Sequence, residues 1–206
     1  KRTSGPISPD LPYYDNSLPL IPFDLDKAAQ LLDQAGWTDT DGNGIRDKVV
    51  NGSKVEFEFS FIIVAGSSTV KTLGEIFKND LLKIGVKMSL RPLEWANMQK
   101  KLHSKDFQAI TLGWGTSPDI DFYQLWHSTQ ADIPKGSNYV GFRNAEADKI
   151  IEEMELVFDI DKRIELSKAF HKIVYDEQPY TFMFQSKNPY FYVKDLQNVS
   201  TLKVRP

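Results

Sequence analysis

The sequence predicts an α/β fold in which a mixed β-sheet is flanked by helices, and three observations lead there. First, between Val55 and Leu112 strand-like runs alternate with helix-period segments in the order β-α-β-α-β, the rhythm of crossover units. Second, the run Phe61-Ile62-Ile63-Val64 is continuously apolar, as in a strand end covered on both faces. Third, the segments Ala145–Val157 and Ile160–Asp176 repeat apolar residues at helical spacing, with Ile150, Ile151, Met154 and Val157 on one and Ile164, Phe170, Ile173 and Val174 on the other.

Taken in order, residues 1–23 hold five prolines (Pro6, Pro9, Pro12, Pro19, Pro22). Fixed φ angles and missing donors predict an extended connector laid over a surface. Asp24 is placed to cap a helix over Leu25–Ala35, with Leu25, Ala28, Ala29 and Leu32 on one face and Gly36 as its stop. Val55–Val64 reads as a strand, with Val55, Phe57, Phe59 and Phe61 alternating against Glu56, Glu58 and Ser60. A helix from Ser67 or Ser68 to Ile84 follows, then a strand over Val86–Leu90 and a helix over Glu94–His103 with Trp95, Met98 and Leu102 inward. The next strand, Phe107–Leu112, opens into a loop with Trp114 between two glycines, then Pro118, Asp119 and Asp121. Beyond the two later helices, Pro179 is a stop, and Thr181–Phe184 with Tyr190–Val193 reads as a strand pair around Lys187-Asn188-Pro189.

Composition narrows the function. The chain of 206 residues is 41% hydrophobic and 26% charged, ordinary for a globular protein. A net charge of −3 and a pI near 5.7 argue against a nucleic-acid partner, which calls for a basic face. There is no cysteine, so disulfides, zinc–thiolate sites and cysteine nucleophiles are excluded. His103, His127 and His171 form no metal-ligand pair and are expected on the surface or a helix face. Asp119 and Asp121 lie too close in sequence to serve as an opposed acid pair, and capping of a helix near Phe122 is the simpler use.

One segment has metal-loop spacing. Asp39, Asp41, Asn43 and Asp47 occupy positions one, three, five and nine, Gly44 is at six, and Ile45 at seven would offer its carbonyl. This is the start of an EF-hand-type calcium loop, but position twelve is Val50 instead of a bidentate Glu. A polar turn held by Asx hydrogen bonds is the alternative. Any calcium here would be structural, and no cofactor is required. For the aromatics, Phe122 and Trp126 at helical spacing suggest core. Trp114, with glycine neighbours, suggests an open ring face for a ligand.

Several segments in series resemble the extracellular solute-binding proteins of the peptide/nickel class (family 5), the binding components of ABC importers. They include Ala28-Ala29-Gln30-Leu31-Leu32, Ala35-Gly36-Trp37-Thr38-Asp39-Thr40-Asp41-Gly42-Asn43-Gly44, Leu93-Glu94-Trp95, Leu112-Gly113-Trp114-Gly115, Trp126-His127-Ser128, Ser137–Phe142 and Glu177-Gln178-Pro179-Tyr180. The resemblance implies a non-enzymatic protein with two lobes that close on a peptide or similar solute. Residues 24–206 would be the C-terminal lobe of a periplasmic-binding-protein-like (type II) fold, and 1–23 the connector from an N-terminal lobe. It implies an ABC permease as partner, and a location in the periplasm or tethered by lipid to the outer face of the cell membrane. It also implies ligand contacts from Trp114, Thr116, Ser117, Asp119 and Tyr139. In peptide binders of the family an acid three residues after the tryptophan pairs with the peptide α-amino group. That position is Ser117 here, with Asp119 as a substitute. The competing expectation is a calcium-stabilised extracellular adhesion or scaffold module built on the Asp39 loop.

Overall fold

The computed structural model describes residues 1–115, 119–186 and 191–199. The chain divides into two compact units, Pro22–Gly113 and Lys1–Ile21 with Trp114–Pro206.

In the Pro22–Gly113 unit, helix α1 (Leu25–Gln34) begins at Asp24, whose carboxylate accepts from the Lys27 amide at 2.8 Å. Its apolar face is half-buried, and Leu31 is exposed. The expected single strand over Val55–Val64 is two strands. β1 (Asp47–Val50) and β2 (Ser53–Glu56) form an antiparallel hairpin, and β3 (Glu58–Val64) starts a second sheet after Phe57. The hairpin turn is Asn51-Gly52, both at positive φ, the pairing that favours a tight two-residue turn. Helix α2 (Ser68–Leu82), β4 (Lys87–Leu93), α3 (Trp95–Ser104) and β5 (Ala109–Ile110) complete the unit. The second sheet is wholly parallel, ordered β4-β3-β5. The expected crossover rhythm is therefore present, with a last strand shorter than Phe107–Leu112.

The continuous apolar run in β3 has the expected cause. Phe61 and Ile63 pack with Met88 against Val70, Phe77 and Leu81, on the side of α2. Ile62, pointing the other way, is 1% exposed, and α3 packs on β3 with Met98 and Leu102 buried. A strand covered by helices on both faces has no place for alternation. Trp95, expected inward, is half-exposed at the first turn of α3. Gly74 lets α2 approach the sheet, since a Cβ there would stand 2.7 Å from Leu90 Cδ2.

In the other unit, helices α4 (Tyr123–Trp126), α5 (Ala145–Leu156) and α6 (Ile160–Glu177) surround one core. A 3₁₀ turn, Ser128–Asp132, follows α4. Asn144 caps α5 by accepting from the Glu146 and Ala147 amides, and Asp159 caps α6 through the Lys162 amide. The α5–α6 pair buries Ala147, Ile151, Met154, Leu166, Phe170 and Val174 against Phe122 and Trp126. The strand pair expected near the C-terminus does not form among the described residues. Phe184 bridges Arg2 instead, and 187–190 lie outside the described residues.

Residues 1–21, most of the 1–23 stretch expected as a connector laid over a surface, enter this core through buried Ile7, Leu11, Tyr13 and Tyr14. Their polar partner is His171, on a helix face as one of the two expected placements has it, but on the inward face of α6 and 0% exposed. The Asp15 amide donates to His171 Nδ1 at 3.2 Å, so the neutral ring carries its proton on Nε2, 3.3 Å from Ser4 Oγ. Burial pushes this imidazole below its ordinary value of 6.5, against the weaker opposing influence of the Asp15 carboxylate and Ser4. An unfolded chain then takes up a proton that the folded one refuses. Stability should fall as pH drops below about 6.5, by at most about 1.4 kcal/mol per pH unit from this group. Urea titrations at several pH values check it. His171→Asn, which keeps an acceptor near the Asp15 amide, should remove that share of the slope; an unchanged slope would assign the acid sensitivity elsewhere.

Candidate functional site

Two groups of aromatic rings stand out in this unit, a pair near the surface that includes Trp114 and a buried set around Trp126. The Trp114 side chain is 44% exposed and stacks on Tyr139, with ring centroids 5.8 Å apart and planes 17° apart. Tyr139 sits in a turn tied by Asn138, which is wholly buried. Asn138 Nδ2 donates to the Phe142 carbonyl at 2.9 Å, and its Oδ1 accepts from the Phe142 amide at 2.8 Å. Further in, Tyr180 packs 4.9 Å from Trp126, which is 2% exposed. Trp126 meets Phe142 edge-on at 5.5 Å and Phe170 at 6.0 Å. Burial pushes the Tyr180 phenol up to about 12, against a smaller opposing pull from hydrogen bonding with the Trp114 side chain. The phenol is therefore neutral at any physiological pH.

These contacts make an anchored flat apolar wall. It can stack against a ring or cover an apolar side chain. Phe122 and Trp126 are core, as their spacing predicts. Trp114 and Tyr139 come together as candidate site residues. Thr116 and Ser117 lie outside the described residues. Asp119 does not join the wall: its carboxylate, exposed to solvent, lies 3.3 Å from Arg163 Nη2. Arg163 also donates to the carbonyls of Met154, Val157 and Ile120, so it ties the start of α6 to the chain after the loop. Asp121 accepts from the Tyr123 amide at 2.8 Å, the helix-start use expected for one of the pair. Asn138 and Tyr180 fall within segments that carry the family resemblance, but the sequence gives neither a place at the site. A buried Asn in a short turn and a Tyr just after a helix-ending proline carry no periodic signal that separates them from ordinary loop residues.

His127 departs from the expected surface or helix-face placement: it lies buried between α4 and the 3₁₀ turn. It stacks on Tyr123 at 4.3 Å, with Nδ1 2.8 Å from Thr129 Oγ1 and Nε2 3.3 Å from Glu152. With both nitrogens engaged and its side chain enclosed, it serves as packing.

In the Pro22–Gly113 unit, carboxylate oxygens of Asp39, Asp41 and Asp47 come within 4.8 Å of one another, as metal-loop spacing anticipates. Their other partners argue for a self-contained turn. Asp39 accepts from the Gly42, Asn43 and Gly44 amides. Asn43 Oδ1 accepts from the Ile45 amide. Buried Asp47 takes the Thr40 amide and hydroxyl. The Lys54 ammonium lies 2.5 Å from Asp41 and 3.2 Å from Asp47. Hydrogen bonding to Thr40 holds the Asp47 carboxyl below its ordinary range, and hydrogen bonding to Lys54 does so for Asp41. Calcium needs six to eight oxygens, and here it would have to displace a lysine that already pairs with two of the three acids. Beside α1 a cavity of about 430 Å³ is lined by Leu25, Ala29, Arg46 and Ile84 among others. Arg46 is already engaged by the Ile84 and Trp37 carbonyls and by Asp33.

Residues 1–133 match the family described as bacterial extracellular solute-binding proteins, family 5 Middle. The oligopeptide-binding protein AppA of Bacillus subtilis is 34% identical over 189 residues, which are 89% of this chain and 33% of AppA. The structure of AppA in complex with a nonapeptide superposes with a TM-score of 0.80 at 30% identity, covering 89% of this chain and 36% of that one. The oligopeptide-binding protein of Thermus thermophilus complexed with a pentapeptide gives a TM-score of 0.78 at 26% identity, over 86% of this chain and 32% of that one. The chain thus spans about a third of the length of the relatives it matches. With the parallel sheet between helices and the anchored aromatic wall, these matches show that the chain belongs to the bacterial extracellular solute-binding proteins, family 5.

Proposed function

We propose that this chain is part of a two-lobed protein that captures a solute, with peptides as the ligand class, and delivers it to an ABC importer. The observation that carries this is the Trp114 ring: exposed on one side and stacked on the other on Tyr139, which sits in a turn tied by buried Asn138. Supporting it are family membership and the peptides bound by the two relatives named above. The adhesion alternative has no such support. The remainder of the full-length protein would supply the facing wall of the cleft, and hinge closure would bury the ligand and present a surface to the permease. The protein would act outside the cytoplasmic membrane, by binding rather than turnover. Asp119 is a secondary candidate for a peptide ammonium, available to the extent that it leaves Arg163.

Identification of what co-purifies with the full-length protein, by mass spectrometry after denaturation, tests this reading. Peptides released in stoichiometric amount would support it; a sugar or a metal chelate in their place would overturn the peptide assignment.

We further propose that Lys54 is the resident cation of the Asp39–Asp47 loop. Calcium should leave the thermal midpoint of the native protein unchanged and raise that of Lys54→Met. A midpoint that rises equally in both would show that the metal binds with the lysine in place.

A further inference from the structure

Given the reading of this chain as part of an importer's binding protein, on which this rests, we propose that the corner between α5 and α6 is a docking knob for the permease, which meets it with an apolar recess rimmed by Lys and Arg. Phe158 is 96% exposed, the highest value of any large apolar side chain among the described residues. Its neighbours Leu156 and Ile160 are 79% and 55% exposed. Large apolar groups clustered in water mark a contact face more often than chance. These are also held still. Arg163 Nη1 donates to the Met154 carbonyl at 2.6 Å and to the Val157 carbonyl at 3.3 Å. The Val157 amide donates to the Glu153 carbonyl at 3.1 Å, and Asp159 caps α6. A fixed backbone presenting bulky apolar tips has little entropy left to lose on association, which suits an interface anchor.

Charge chooses the occupant. Residues 151–165 hold six acidic residues against two basic ones, an excess larger than the net −3 of the whole chain. Both basic residues are already paired, Lys162 with Glu165 and Glu153, Arg163 with Asp119. Glu155, Asp159 and Asp161 are exposed beside the knob. A second copy meeting it across a two-fold axis would set the same acids against each other, and an anionic lipid surface would repel them. Permanent cover by the rest of the same protein would take those carboxylates out of water. A small apolar centre within a charged rim is the anatomy of an interface that forms and parts. Its electrostatic complement is a basic rim. The permease is the partner that must bind and release such a protein at every cycle.

The test uses the full-length protein in its own cells, with variants in place of the native protein. Uptake of a radiolabelled mixed-sequence nonapeptide is compared with its affinity for the purified protein, read by calorimetry. Phe158→Ser should lower uptake at limiting peptide about tenfold, the loss of one interface anchor. Affinity and thermal midpoint should stay unchanged, because a side chain 96% exposed packs in no core and is not part of the Trp114–Tyr139 pair. Glu155→Lys, which reverses one rim charge, should lower uptake by a smaller factor; a rise in uptake would overturn the basic rim. With p-benzoylphenylalanine at position 158, illumination of intact cells should cross-link the protein to a membrane-embedded permease subunit, identified by peptide mapping. Cross-links confined to the protein itself or to a second copy overturn the permease as occupant. Native-level uptake in Phe158→Ser overturns the knob. Should the native protein neither bind nor import the nonapeptide, the peptide reading fails, and the cross-link to a permease subunit would still uphold the docking face.

Discussion

Gly5→Ala should destabilise the protein by about 3 kcal/mol, the upper end of the usual cost of overpacking. A Cβ at that position would stand 2.2 Å from His171 Nε2 and 2.3 Å from its Cδ2, far inside van der Waals contact. Neither side can yield cheaply. His171 is enclosed on α6 between Phe170 and Val174, which are themselves 0% exposed, and its Nδ1 is held by the Asp15 amide. Gly5 is fixed by its neighbour, since Ser4 Oγ lies 2.7 Å from Tyr14 Oη and faces the same imidazole. A methyl group there must expel the N-terminal segment or the histidine. Chemical denaturation measures the loss. In the double variant Gly5→Ala/His171→Ala the two costs should be strongly non-additive, because the second change removes the atoms that the first collides with. A Gly5→Ala protein within about 0.5 kcal/mol of the native one, the range of ordinary surface substitutions, would show that residues 1–15 are not locked to α6.

This contact also marks where sequence and structure part. The crossover order of the sheet was legible because its physics is local and periodic: an apolar run at Phe61–Val64, helical spacing from Val70 to Leu81, and Gly36 and Gly85 after the first two helices. Capping at Asp24 is likewise a matter of neighbouring residues. The hairpin was hidden because Val55 to Val64 alternates well enough to pass as one strand, and only the fold shows that Phe57 separates two sheets. The burial of residues 1–21 was hidden for another reason. Four prolines in that stretch signal an extended backbone, but they say nothing of the Ile7, Tyr13 and Tyr14 side chains that join the core, with Tyr14 against His171 of α6 more than 150 residues away. His171 follows from that pairing and could not be read without it. At the wall, Trp114 was visible through its glycines, while Asn138 and Tyr180 act through contacts that no spacing encodes.

Trp126→Ala should cost about 3–5 kcal/mol, as expected for emptying a buried tryptophan site, and its consequences should reach the wall. Trp126 is 2% exposed and is the ring through which the others meet: Phe142 and Phe170 edge-on, Tyr180 and Phe182 tilted against it. The cavity left behind lies beside Tyr180, so the phenol ring loses its main support. Trp126→Phe refills much of the volume and should recover more than half of the stability. Two measurements separate the roles. Denaturant midpoints should rank native, then Trp126→Phe, then Trp126→Ala, following the volume restored. Peptide affinity of the full-length protein, measured well below each midpoint, should fall in the same order if the wall is held from below. Should affinity stay constant while stability falls in that order, the aromatic run would be core alone, and Trp114 would owe its orientation to Tyr139 and the adjoining loop.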